Sequence, residues 1–336
     1  MIEKKVKDIN KEVGLLKKEL NVLKRNFRKK FNLIINELQK FGYDYEIILE
    51  PENQELDSHE YYPSLIEKII PKKSFKDVIL NEDIKSQLNM ALSQIKNHNK
   101  LMNEWKLSNI QDGNALSMIF SGPSGTGKTL TAEALAKELK NKLYIVRYSN
   151  LVDSFIGETG KNIVKVFEIA KKNKAILFFD EADAIASSRT NIFSSTDSET
   201  NLTKNVLLKE LEKFDGIVIF ATNLASNFDK AFERRINLHI NFKMPNIDER
   251  EQIWKLLSKA LPLNKDVNFN DIAKEFEFSG GHIKNSVINA ARLAISNNSD
   301  DIKKEHFVKA ARLVREGRNI LQQFEDENKD KLNYLG

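Results

Sequence analysis

Ser117-Met-Ile-Phe-Ser-Gly-Pro-Ser-Gly-Thr-Gly-Lys-Thr129, with Leu130–Leu139 behind it, is the stretch on which the fold turns. A short apolar run, a glycine-rich loop and an Ala/Leu-rich run predict strand, loop and helix in succession. The loop residues Gly122, Pro123, Ser124, Gly125, Thr126, Gly127, Lys128 and Thr129 match G-x-x-x-x-G-K-[ST] in full. Glycines there let the backbone wrap so that its N–H groups face inward onto phosphates. The helix entered at Leu130 adds the positive end of its dipole. Lys128 is expected to reach the β- and γ-phosphates of ATP, and the Thr129 hydroxyl to ligate Mg²⁺.

Outward from this stretch, four more short apolar runs follow: Leu143–Tyr148, Ala175–Phe179, Ile217–Ala221 and Leu238–Phe242. Each is nearly continuous and β-branched or aromatic, as strands covered on both faces require. Helical stretches between them predict an α/β fold with a parallel sheet. After Pro245 the pattern is helical to about residue 316, and a polar tail follows. The run Ala175-Ile-Leu-Phe-Phe-Asp-Glu-Ala-Asp183 sets carboxylates just past a buried strand, where open α/β sheets hold ligands. Asp180 fits the Mg²⁺-supporting role, and Glu181 is placed to orient or deprotonate an attacking water. The letters Asp-Glu-Ala-Asp also occur in RNA helicases. A second helicase domain is not expected, since the roughly 150 residues after Asp183 read mostly as helix.

Composition narrows the class. Of 336 residues, 41% are hydrophobic and 30% charged, enough for a sizeable core under a soluble surface. Cysteine is absent, which removes disulfides, thiolate metal sites and cysteine nucleophiles and fits a reducing cytosol. The charged N-terminus and the lack of a long apolar run predict neither signal peptide nor membrane anchor, hence a cytoplasmic protein. The net charge of +5 is concentrated in residues 1–40, and the remainder is slightly acidic. In that arm Val6, Ile9, Val13, Leu16, Leu20, Leu23 and Phe27 recur at heptad spacing, then the seam breaks. Two readings stay open there: an amphipathic helix packed on its own protein, or a coiled-coil helix for a partner or a second copy. The cluster Arg25, Arg28, Lys29 and Lys30 reads as a solvated helix face rather than a nucleic-acid or lipid surface.

From about residue 73 to 315 the chain resembles the AAA+ ATPases, in particular the AAA clade. The resemblance implies a P-loop NTPase sheet flanked by helices, followed by a small all-helical lid. It divides the chain into an N-terminal arm (1–45), a linker (46–72), a large α/β nucleotide-binding domain (73–244), the lid (245–316) and a C-terminal tail (317–336). Ser74-Phe-Lys-Asp-Val-Ile79 is similar to the adenine-binding segment, with Asp77, Val78 and Ile79 beside the base. Ile219-Phe-Ala-Thr-Asn223 resembles sensor 1, with Asn223 on the γ-phosphate or the attacking water. Phe228-Asp-Lys-Ala-Phe-Glu-Arg-Arg235 resembles the arginine-finger segment, whose Arg234 and Arg235 would act in a neighbouring subunit's site. That arrangement implies a homo-oligomeric ring, most often a hexamer.

Ser279-Gly-Gly-His-Ile-Lys-Asn285 resembles the lid turn against nucleotide. It places Gly280 and Gly281 near the base or ribose, and Lys284 where a sensor-2 arginine stands outside this clade. His282 reads as a turn residue. Phe155-Ile156-Gly157 resembles the tip of pore loop 1, which grips polypeptide, and Ser187–Thr203 reads equally as the site of a second pore loop or as a disordered surface loop. The leading functional reading is a ring ATPase that remodels, unfolds or regulates a protein substrate. An ATP-gated switch or scaffold controlling an effector such as a protease, and a nucleic-acid motor using the basic arm, are the alternatives. The chain holds no His-Glu-x-x-His protease segment and no terminal hydrophobic-Tyr-X docking tail.

Overall fold

The five apolar runs form five parallel strands. In the computed structural model, which describes residues 65–98, 100–106, 115–151, 158–183, 195–223 and 229–333, they are β2 (Leu116–Ser121), β3 (Leu143–Arg147), β4 (Ile176–Asp180), β5 (Ile217–Thr222) and β6 (Leu238–Asn241). A sixth, β1 (Glu67–Ile69), pairs antiparallel with β3, and the sheet order is β1-β3-β4-β5-β2-β6. All described residues lie within the unit Tyr62–Gly336. The basic arm 1–45, the linker up to residue 64, Phe155-Ile156-Gly157 and residues 187–194 of the Ser187–Thr203 stretch lie outside the described residues, while the rest of that stretch opens a helix at Ser195.

Alternation along each strand builds two cores. Phe179 of β4 and Val218 and Phe220 of β5 enter one. Their neighbours Phe178, Ile217 and Ile219 enter the other. On the first face pack α4 (Glu158–Asn173) and α5 (Ser195–Lys213), through Ile163, Val166, Phe167, Leu207 and Leu211. On the second lie α1 (Glu82–Lys96) and α2 (Lys128–Glu138). The short helix α3 (Tyr148–Leu151) follows β3 and buries Leu151. Helix α1 starts where Asn81 Oδ1 accepts from Ile84 N at 2.8 Å, and its buried Ile84, Leu88, Ala91 and Leu92 keep helical spacing. Phe179 stacks on Phe220 at 5.2 Å, and each such buried aromatic stabilises by about 1.5–3 kcal/mol.

The lid begins after α6 (Lys230–Glu233), β6 and Pro245. It comprises α7 (Ile247–Ser258), α8 (Phe269–Glu275), α9 (Gly280–Ser296) and α10 (Lys304–Asn333). Asn246 and Glu249 close a reciprocal capping box on α7. The lid core gathers on Trp254, which stacks on Phe269 and meets Phe307 edge-on. Buried Arg250 ties it to its entry, donating from Nε to Ala273 O at 2.9 Å and from NH1 to Pro245 O at 2.8 Å.

Two stretches differ from the sequence reading. Residues 65–72, read as linker, are docked: Leu65 and Ile66 are buried, β1 joins the sheet, and Lys72 N and Lys73 N donate to Glu133 Oε1. Residues read as a tail from 317 continue α10, whose charged and amide residues there have good helix propensity.

Candidate functional site

Parallel register brings the site residues level. Ser121 pairs with Thr222, Arg147 with Asp180 and Phe179 with Phe220, so the exits of β2, β4 and β5 open at one sheet edge. From β2 the chain enters the glycine loop, with positive φ at Gly122 (136°), Gly125 (76°) and Gly127 (100°). At Gly122 a Cβ would stand 1.9 Å from Phe242 O, so glycine alone allows β6 to close against the loop.

The Lys128 ammonium is folded back into the loop. It donates to Gly122 O at 2.6 Å, Pro123 O at 3.1 Å and Asn223 Oδ1 at 2.9 Å. Burial lowers its pKa, while the carboxylates of Asp180 and Asp183 push it back up. Gly122 and Pro123 thus serve through carbonyls that hold the lysine.

Beyond β4, Glu181 is exposed at the apex of a tight turn with φ 54°, and its N–H donates to Asp180 Oδ1 at 3.1 Å. Asp77 turns its carboxylate to Ser74, accepting from Ser74 N at 2.7 Å and Ser74 Oγ at 2.9 Å. Those bonds hold it below the ordinary carboxylate pKa and leave the apolar flank of Val78 and Ile79 to shape the wall.

A cleft of about 470 Å³ collects these groups. Asp77, Val78, Ile79, Ser124 through Leu130, Asp180, Glu181 and Asn223 line it from the large domain, and Gly280, Gly281 and Lys284 from the lid. The lid touches the loop directly, with Gly281 N donating to Gly125 O at 3.0 Å. Sequence reasoning missed Ile253, Leu256 and Leu257 of α7, which complete the apolar wall. Only the packing of α7 shows which of its apolar residues turn inward.

Arg234 and Arg235 stand apart from the cleft lining, whose cations among the described residues are Lys128 and Lys284. Arg235 is held within its own chain, pairing with Glu212 through Nε at 2.6 Å and NH2 at 2.5 Å, while NH1 donates to Ala231 O at 2.9 Å. Arg234 is exposed. Among the described residues no cluster of three or more His, Asp or Glu could hold a metal unaided. A Mg²⁺ ion shared with phosphates needs only one or two protein oxygens, and Thr129 and Asp180 fit that donor set. No described helix is long and apolar enough to cross a membrane.

Residues 118–244 match the ATPase family associated with various cellular activities (AAA). The chain is 32% identical over 259 residues to the ATP-dependent zinc metalloprotease FtsH of Mycoplasma mobile, covering 75% of this chain and 36% of that protein. It is 36% identical over 254 residues to the proteasome-activating nucleotidase of Aeropyrum pernix, covering 73% and 61%. With proteasome-activating nucleotidase 2 of Halobacterium salinarum the identity is 35% over 209 residues, covering 60% and 51%. The aligned part is thus less than two thirds of each relative's length. With the phosphate loop, acidic strand end and lid converging on one cleft, these matches show that the chain carries an ATPase domain of the AAA family.

Proposed function

We propose that this chain binds Mg-ATP in the cleft between sheet edge and lid, hydrolyses it, and uses the turnover to remodel a protein substrate within a homo-oligomeric ring. The observation that carries the reading is the convergence of Lys128, Thr129, Asp180, Glu181, Asn223 and the Gly280-Gly281 start of α9 on one space of about 470 Å³.

In this reading the loop N–H groups and Lys128 hold the phosphates, Lys128 exchanging its carbonyl partners for phosphate oxygens. Val78, Ile79, Ile253, Leu256 and Leu257 receive the base on an apolar wall, and Gly280 and Gly281 allow close approach to the ribose. Thr129 and Asp180 would hold Mg²⁺, which neutralises charge developing on the phosphoryl oxygens. Glu181 orients the attacking water and takes its proton, and Asn223 fixes the γ-phosphate or that water. Arg234, which is exposed, completes a neighbour's site, joined by Arg235 once it exchanges Glu212 for phosphate oxygens, which is why the cleft can lack an arginine of its own.

Protein remodelling is supported by relatives named for proteasome activation and ATP-dependent proteolysis. Phe155-Ile156-Gly157, lying outside the described residues, is the proposed gripping loop. The proposal places the protein in the ATP-containing cytosol. Glu181→Gln tests its core. Nucleotide binding should persist while turnover falls by about 10²–10⁴-fold, and retained turnover would refute the assignment.

A further inference from the structure

Glu181, at φ 54°, occupies the left-handed region that residues bearing a Cβ rarely adopt. Something must hold it there. Two hydrogen bonds fasten its turn to the neighbouring strand. Ala182 N donates to Ala221 O at 2.8 Å, and Thr222 Oγ1 donates to Asp183 Oδ1 at 3.1 Å. The backbone bond and the burial of Ala182 set the height of the turn at one point. The side-chain bond, on the next residue of each strand end, supplies the second fixed point.

Thr222 is buried and directly precedes Asn223, whose Oδ1 accepts from Lys128 Nζ. The tie therefore runs on from Asp183, through the end of β5, to the phosphate-loop lysine. Neither Asp183 nor Thr222 lines the cleft.

We propose that Asp183 and Thr222 are positioning residues for hydrolysis: their hydrogen bond holds the left-handed turn that presents Glu181 and locks it to the strand end that presents Asn223. The inference rests on the reading of Glu181 as the residue acting on water. It assigns the third acid of Asp180-Glu-Ala-Asp183 a role separate from metal support and proton transfer.

The test compares steady-state ATPase kinetics of the full chain with affinity for N-methylanthraniloyl-ADP. Thr222→Val and Asp183→Ala should each lower kcat by about tenfold or more, leaving KM and probe affinity within about twofold. Thr222→Ser and Asp183→Asn keep the donor and the accepting oxygen, and each should retain kcat within about threefold. The Thr222→Val/Asp183→Ala pair should be no slower than the slower single variant.

Wild-type kcat in Thr222→Val overturns the proposal. Equal losses in Asp183→Asn and Asp183→Ala overturn it too, because the charge and not the bond would then matter. So does probe affinity that falls in step with kcat. Glu181→Gln separates the two levels. Full turnover in that variant removes the underlying assignment, whereas its loss beside normal Thr222→Val removes only the positioning role.

Discussion

Gly125→Ala perturbs the point where the lid rests on the phosphate loop. Gly125 has φ 76°, which costs a residue with a Cβ about 1–2 kcal/mol. The added Cβ would stand 2.7 Å from Ser279 Oγ and 3.3 Å from Gly281 N and Cα. Ser279 Oγ caps α9, accepting from His282 N at 3.5 Å and meeting His282 Nδ1 at 3.0 Å. Pushing that oxygen away gives up a long cap bond, about 0.5–1 kcal/mol. Stretching the bond from Gly281 N to Gly125 O forfeits about 1 kcal/mol more. The expected cost is about 2.5–4 kcal/mol by denaturant melts. Ser279→Ala should cost only the cap on its own, and nothing further where Gly125→Ala has already displaced the oxygen. The double variant should then be more stable than the sum of the singles predicts, by about 1 kcal/mol. Additive costs, or a Gly125→Ala variant within about 0.5 kcal/mol of wild type, would refute direct seating of the lid on the loop.

Arg250→Met should destabilise the lid by about 3 kcal/mol, since Pro245 O and Ala273 O both lose a charged donor in a buried setting; an unchanged melt would show the anchor to be idle. Arg234→Ala subunits and Lys128→Ala subunits should each be inactive alone. Mixing them should restore ATPase activity through interfaces with one intact site, and no recovery at any ratio would count against arginines acting between subunits. His282 has its pKa lowered, first by burial and then by the Arg318 guanidinium, so the unfolded chain binds the proton more readily than the folded one. Stability should therefore be lost as pH falls through the ordinary histidine value of 6.5. Melting temperatures from about pH 8 to about pH 5.5 should drop more steeply for wild type than for His282→Asn, and parallel curves would exclude this linkage.

What could be read in the chain, and what could not, divides by the range of the cause. The five parallel strands stand within two residues of their apolar runs; in β2 to β5 burial on both faces writes itself into consecutive side chains, while β6, at the sheet's edge, buries only Ile240 fully and was legible by alternation instead. Strand β1 carries no such signature. Its three residues are mostly exposed, and they are held by pairing to β3 and by the Arg147–Glu67 ion pair. The phosphate loop was legible for the opposite reason, since its chemistry needs glycines and a lysine at fixed local spacing. Arg235 read as a cation for a neighbour, but only the fold shows that Glu212, on α5, already engages it.

The Asp183–Thr222 bond joins residues 39 apart. Each looks ordinary alone, an acid after a strand and a threonine at the end of another. Their meeting is decided by the pairing of Phe179 with Phe220, which sets both strand ends level. Phe179 also stacks on Phe220 in the core beneath, so the pairing and the packing agree. A core substitution there, such as Phe220→Leu, would reach the cleft without touching it, because the cavity it leaves loosens the packing beneath the strand ends that carry Glu181 and Asn223. The geometry of the hydrolytic site is therefore a property of the sheet as much as of the residues that line it.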